Sequence, residues 1–206
     1  MNSPNIKIAE TDLTNLEKNN LNLKKLVAEI SGELEAKNRE LEIEAALDKV
    51  RSIALAMEKP DDMVDVCRTI SDQLENFGVK NIRNVQTVVV YKSEGIYRNY
   101  QYFTPYKKSI VEDTEYKKHP TVLQMVLEME RSPDAYFNGS FKGEELKVFR
   151  EYRKQDDQFP DPILDKSTSL HYYFYSIGQG GLGLTTYQEL HQAGLEIFKR
   201  FHKVFS

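Results

Sequence analysis

The side chains able to do chemistry are few. The chain has one cysteine, Cys67, and four histidines, His119, His171, His191 and His202. No two histidines share a metal-pair spacing such as His-x-x-x-His, and no paired Cys/His spacing for zinc exists. Cys67 falls on an apolar helical stripe, where a free cysteine packs as a small hydrophobe. His191 and His202 lie on a terminal helix and read as exposed, which leaves His171 as the histidine to watch. Gly178-Gln179-Gly180-Gly181-Leu182-Gly183 lies between two strands, whereas a phosphate cradle needs its glycines between a strand and a helix. It reads as a hairpin with a bulge or a close backbone approach. Asn138-Gly139-Ser140 matches the glycosylation triplet without a secretory leader. Lys107-Lys108 and Lys117-Lys118 are too few for nucleic acid. With no nucleophile, metal set or acid–base pair standing out, the sequence predicts no catalytic residues, no metal, no cofactor and a non-enzymatic role.

The aromatic content is more informative. There are twelve tyrosines and no tryptophan, and they cluster in Tyr97-Arg98-Asn99-Tyr100-Gln101-Tyr102-Phe103 and in Tyr172 to Tyr175. Strand alternation puts Arg98, Tyr100 and Tyr102 on one face and Tyr97, Asn99 and Gln101 on the other. His171, Tyr173 and Tyr175 likewise share a face. Apolar bodies with polar tips can line a small-molecule pocket, so Arg98, Tyr100, Tyr102, His171, Tyr173 and Tyr175 are the ligand-pocket candidates. The same residues serve equally as cross-strand packing under a helix.

The elements that must position these residues follow from periodicity. Residues 12 to 59 contain no proline and one glycine, Gly32, and predict a helix about 70 Å long at roughly 1.5 Å per residue. Apolar residues recur at steps of three and four. Leu16, Asn20, Leu23, Val27, Ile30 and Leu34 form one seam, extended by Leu41. Ile43, Leu47, Val50, Ala54 and Met57 form a second, out of phase with the first. Such a seam predicts a coiled coil, with Leu16 to Leu34, Ile43, Leu47 and Val50 as dimer contacts and Asn20 fixing register. Lys59-Pro60-Asp61-Asp62 stops the helix, and Met63 to Phe77 forms the next, ended by Gly78. Val85 to Tyr91 and Ile96 to Phe103 read as a hairpin, followed by a weaker strand over Ser109 to Glu115. A helix over Pro120 to Arg131, a strand over Ala135 to Phe141 and a helix over Gly143 to Lys154 come next. Phe159-Pro160-Asp161-Pro162 reads as an extended loop. Leu170 to Ile177 and Gly180 to Leu184 form a second hairpin, and Tyr187 to Phe205 a final helix. This order describes an α+β fold, an antiparallel sheet flanked by helices and preceded by a long coiled-coil helix. The two parts are residues 1–59, linker and helix, and residues 60–206, the α+β domain.

Composition bounds the partners. Lys plus Arg number 28 and Asp plus Glu 32, for a net charge of −4. The basic footprint of a nucleic-acid or anionic-membrane binder is therefore absent. No apolar run reaches the roughly 18 residues of a membrane span. A lone cysteine and no signal peptide place the chain in a reducing compartment, the cytoplasm.

Ile43-Glu44-Ala45-Ala46-Leu47-Asp48-Lys49-Val50-Arg51, followed by Leu55-Ala56-Met57, resembles the lead-in helix of bacterial GAF-like sensor domains. The end, Ile197-Phe198-Lys199-Arg200-Phe201-His202-Lys203-Val204-Phe205, is similar to the stretch that closes the same domains, with His202 in place of a small residue. The resemblance covers about residues 43 to 206. It implies a sheet with the first and last helices on one face and room for a ligand cavity on the other, and a sensory role, either as an isolated module or as a piece of a longer signalling protein. The Asn-Lys…Phe-x-x-x-Asp-Glu pattern of the cyclic-nucleotide members is missing. Bilin-binding members need a pocket thiol, whereas Cys67 lies on an early helix. The expected partners are a second copy of the chain, paired through its long N-terminal and C-terminal helices, and a small-molecule ligand.

Overall fold

The computed structural model describes the backbone of residues 4–156 and 158–205, and the side chains of residues 13–156 and 158–205. The chain divides into two compact units, residues 1–45 and 46–206. The helix α1, Pro4–Leu55, runs from the first into the second. Within the first unit, Leu16, Leu23, Val27, Ile30, Leu34 and Leu41 are all exposed. An uncovered apolar row at steps of three and four is the feature a coiled-coil partner buries. Ile43, Leu47 and Val50 differ from the expected seam, because they are already buried within the single chain. The stripe changes phase near Leu41 because Ala46, Leu47 and Val50 belong to the core of the second unit.

The second unit is α+β. Six strands, β1 (Ile82–Tyr91), β2 (Ile96–Phe103), β3 (Lys108–Glu115), β4 (Tyr136–Lys142), β5 (Ser169–Ser176) and β6 (Gly180–Thr186), form one antiparallel sheet ordered β3-β2-β1-β6-β5-β4. The two central strands pair across the sequence, Val85 with Leu184 and Thr87 with Leu182. Gly95 and Gly178, at φ +71° and +85°, supply the left-handed turn positions of the two hairpins, which residues with a Cβ adopt only at a cost.

One sheet face carries α2 (Met63–Asn76) and α6 (Gln192–His202). Val66, Cys67, Ile70 and Leu74 of α2 and Phe198 and Phe201 of α6 have no exposed surface. Each apolar side chain so buried is worth about 1.5–3 kcal/mol. The Cys67 thiol donates to Tyr100 O at 3.3 Å and lies 3.5 Å from Thr87 Oγ1. Burial pushes it up to about 12, so it packs and does not react. The opposite face carries α3 (Pro120–Met129), α4 (Gly143–Gln155) and the short α5 (Pro162–Lys166). His119 caps α3, accepting at Nδ1 from Thr121 N (3.2 Å).

Three local expectations change. The segment after Asp161 is helical, because Pro162 occupies the first turn and the Asp161 carboxylate caps it, accepting from Leu164 N at 3.0 Å. The last helix starts at Gln192 and not at Tyr187. A local turn bond, Thr186 Oγ1 donating to Gln188 O, and a tertiary one, Leu190 N donating to Tyr173 Oη, hold the intervening residues. His202 is buried: its ring stacks on Tyr175 and Nε2 lies 2.7 Å from Ser176 O.

Candidate functional site

Alternation along β1 and β2 sorts their side chains between the two faces. Val85 and Thr87 meet α2, while Asn84, Gln86 and Val88 point toward α3 and α4. On β2, Tyr100 and Tyr102 stand opposite Thr87 and Val85, and Asn99 and Gln101 opposite Val88 and Gln86. The six sequence candidates thus share one face, the one under α2 and α6, at two separated places. Arg98, Tyr100 and Tyr102 are on β2, and His171, Tyr173 and Tyr175 on β5. Tyr100, Tyr102, His171, Tyr173 and Tyr175 are buried. Tyr175 packs on Phe198 and His202, and the Tyr173 hydroxyl accepts from Leu190 N. Arg98 is half exposed and makes a bidentate pair with Asp113, at 2.7 and 2.8 Å. None of the six lines the cavities of the opposite face.

That opposite face holds a small, partly open chamber of about 30 Å³ between the sheet and α3 and α4. Its sheet side is polar, with Arg83, Gln86, Asn99 and Gln101. Its helix side brings Val122, Met125, Phe149, Tyr152 and Arg153, and Tyr97, Tyr172, Phe174 and the Gln158 amide complete it. A glycine on β6 makes the floor possible. A Cβ on Gly183 would fall 2.4 Å from the Phe174 ring, so only glycine lets that ring lie across β6. The chamber is one of three adjoining spaces. Val122, Met125, Phe149 and Tyr172 also line a narrow apolar neck of about 10 Å³, whose other walls are Thr121, Phe137 and Phe141. Those three residues in turn line an open groove of about 460 Å³ between α3, the edge strand β4 and α4.

The hydrogen bonds around the chamber have a fixed donor–acceptor pattern that converges on Gln86 Oε1. A guanidinium only donates. Arg83 Nη1 donates to Asn84 Oδ1 (3.0 Å), so the Asn84 amide nitrogen faces the other way and donates to Gln86 Oε1 (3.1 Å) and Gln101 Oε1 (3.0 Å). Gln101 then donates through Nε2 to Glu112 Oε2 (2.8 Å). Gln86 Oε1, already an acceptor, takes a second donor, Asn99 Nδ2 (2.9 Å). Asn99 Oδ1 is left at the end of the relay with no donor. The Tyr152 hydroxyl is also buried and outside full hydrogen-bond geometry, with the Gln158 amide close enough to interact with it. Asn99 is 5% exposed and Tyr152 9%, so each carries the cost of an unsatisfied polar atom, about 1–3 kcal/mol.

The two arginines differ. Arg83 donates through Nε to Asp161 Oδ2 at 2.7 Å, the two side chains being 3% and 0% exposed. The Asp161 carboxylate also accepts from the Tyr106 and Tyr187 hydroxyls at 2.8 and 3.0 Å. Burial pushes the Asp161 carboxyl up, and the Arg83 charge with these donors more than reverses that, leaving it below its ordinary value. Arg153 has only neutral partners in hydrogen-bond range, Gln158 Oε1 (3.1 Å) and Phe159 O (2.8 Å). Among the described residues, no carboxylate lies within 4 Å of it. Burial, and then the like charge of Arg83, lower it to about 10.

Sequence reasoning did not single out Arg83, Asn84, Gln86, Asn99, Gln101, Tyr152, Arg153 or Asp161. Asn84 and Gln86, and Asn99 and Gln101, are amides two residues apart in adjacent strands. That pattern was the available signal, since Asn is depleted from strand interiors. No protein-family model matches this chain, and no curated protein matches it.

Proposed function

We propose that this chain is a GAF-like, non-enzymatic sensory module of a cytoplasmic signalling protein, dimerising through α1 and binding a small molecule in the chamber under α3 and α4. The observation that carries the reading is the buried, unpartnered Asn99 Oδ1, on a residue that lines one small chamber together with Tyr152 and two arginines. Folded domains pair their buried polar atoms, and a leftover set pointing into one cavity is what a ligand completes. The end motifs of residues 43–57 and 197–205 support the family. The exposed row from Leu16 to Leu34 supports the dimer. The apolar side of α6 is already buried on the sheet through Phe198 and Phe201, so pairing rests on α1 alone.

Signalling follows from β1. Its Gln86 lines the chamber with Asn84 bonded behind it, and its Val85 and Thr87 end under α2, one strand thickness away. A ligand that redirects the amide relay repacks α2 and α6, provided it binds one packing better than the other. A thermal-shift screen of cell metabolites on the full chain tests the reading. A ligand at 100 times its Kd adds about 2.7 kcal/mol, or about 5–11 °C for a domain of this size. No stabilising compound, together with a monomer in sedimentation equilibrium, would refute it. The competing reading, a dimerisation module with no ligand, is favoured by the chamber's volume, which suits about two waters.

A further inference from the structure

The relay and the neck together restrict what the chamber accepts. This inference rests on the sensory reading above and specifies its ligand. Asn99 Oδ1 is fixed as an acceptor, because the amide is oriented by Gln86 Oε1, and that atom by Asn84 and Arg83. Its complement is an N–H or O–H. Arg153 is a buried cation whose hydrogen-bond partners are a carbonyl and an amide oxygen. Its complement is an anion, and the depression caused by burial and Arg83 agrees. Among the described residues, the two carboxylates whose charge reaches Arg153 make their hydrogen bonds elsewhere. Asp161 holds Arg83, Tyr106 and Tyr187, while Glu112 accepts from Gln101 Nε2 and from Phe159 N at 2.8 Å. The neck leading outward is made of Val122, Met125, Phe137, Phe141, Phe149 and Tyr172. Walls of this kind suit the faces of a flat apolar ring.

We propose that the chamber takes the polar edge of a small single-ring aromatic acid bearing an N–H beside its carboxylate, with the N–H on Asn99 Oδ1, the carboxylate toward Arg153 and the ring in the neck. The Tyr152 hydroxyl gains a partner in the same carboxylate. Entry is from the open groove between α3 and α4. Met125, unbranched and flexible, is the neck residue able to swing aside for the ring. The free chamber is too small for the ring, so binding widens the gap between α3 and the sheet.

Isothermal titration of the full chain with four probes tests this: 2-aminobenzoate, pyrrole-2-carboxylate, benzoate, which lacks the N–H, and 2-aminobenzamide, which lacks the charge. The expected result is binding of the first two, with benzoate and 2-aminobenzamide each at least about tenfold weaker, since hydrogen bonds to charged groups are the stronger class. Met125→Trp, which fills the neck, removes binding. Arg153→Gln abolishes the preference for 2-aminobenzoate over 2-aminobenzamide. Should Arg153→Gln fail to fold, the four probes on the parent chain decide. Equal affinity for all four, preference for the neutral amide, binding indifferent to Met125→Trp, or no binding of either N–H acid overturns the proposal. A neutral metabolite whose binding is lost in Met125→Trp overturns the acid class and leaves the sensory reading standing. Failure of the metabolite screen as well removes both.

Discussion

Asp161 joins four parts of the second unit, and its removal has a calculable cost. The carboxylate holds Arg83 of β1, the Tyr106 hydroxyl beyond β2, Leu164 N at the start of α5 and the Tyr187 hydroxyl beyond β6. Asp161→Ala leaves Arg83 as a buried cation without its partner, and breaking a buried pair in this way costs about 3–5 kcal/mol. At about 2–4 °C per kcal/mol for a domain of 150–250 residues, a loss of about 4 kcal/mol lowers Tm by about 8–16 °C. Thermal unfolding followed by the tyrosine near-ultraviolet signal measures it. The double variant Arg83→Met/Asp161→Leu should recover part of the loss, the share due to the unpaired Arg83 charge, while the Tyr106 and Tyr187 hydroxyls and Leu164 N stay without their acceptor. The pH dependence has a definite sign. A carboxyl lower in the folded chain than in the unfolded one adds stability that is complete above the unfolded value, about 3.9. That stability is lost as pH falls from there through the lowered native value. Asp161→Asn lacks the contribution at neutral pH and is correspondingly flatter below pH 4. A Tm for Asp161→Ala within about 3 °C of the parent, or a double variant no better than the single one, would refute the reasoning.

Other outcomes follow from single contacts. Leu23→Lys with Ile30→Lys, at positions 61% and 54% exposed, should convert a dimer to a monomer in sedimentation equilibrium without changing the unfolding temperature of the α+β unit. Gly183→Val pushes a methyl-bearing Cβ into the Phe174 ring. Overpacking of this kind costs about 1–3 kcal/mol, and the variant should also lose whatever binds the chamber, both read in one thermal-shift titration. The Cys67 thiol should stay silent to a disulfide reagent in the native state and react at the rate of unfolding, because it is buried and held at about 12. Rapid native labelling would show that α2 opens locally.

Much of the fold was legible because its signals are local. Strand β2 has the boundaries its alternation predicts, Ile96–Phe103, and the hairpin turn at Gly95 is a matter of neighbouring residues. The misplaced start of α6 shows the opposite case. Tyr187 to His191 carry a helix-compatible pattern, yet the Tyr187 hydroxyl bonds to Asp161, 26 residues away, and Leu190 N to Tyr173. Those partners are near only after folding, and they override propensity. The second seam of α1 fails similarly. Leu47 and Val50 have the spacing of coiled-coil contacts, but a helical apolar stripe says only that something covers it, and here the α+β core does.

The position of the chamber marks where alternation stops being informative. A period of two states which residues share a face and is silent on what covers that face. Tyr100 and Tyr102 were correctly grouped with Arg98, but the tyrosine-rich face is the one sealed by α2 and α6, where the phenol rings serve as core. The amide face is the one left with an orphan acceptor. Polarity of the buried strand positions separates the two. Tyrosine can bury its ring and still satisfy its hydroxyl at an edge, as Tyr173 does with Leu190 N. Four carboxamides in the middle of two paired strands depend on one another and on neighbouring strands, as Gln101 does on Glu112 and Gln86 on Thr185. Because Arg83 sets the direction of their bonds, one end of the row must lack a donor, and that end is Asn99. The place most open to a ligand is therefore where a row of buried amides, oriented from Arg83, leaves the Asn99 acceptor unmet, a property of the Asn84-x-Gln86 and Asn99-x-Gln101 repeats once their strands are paired.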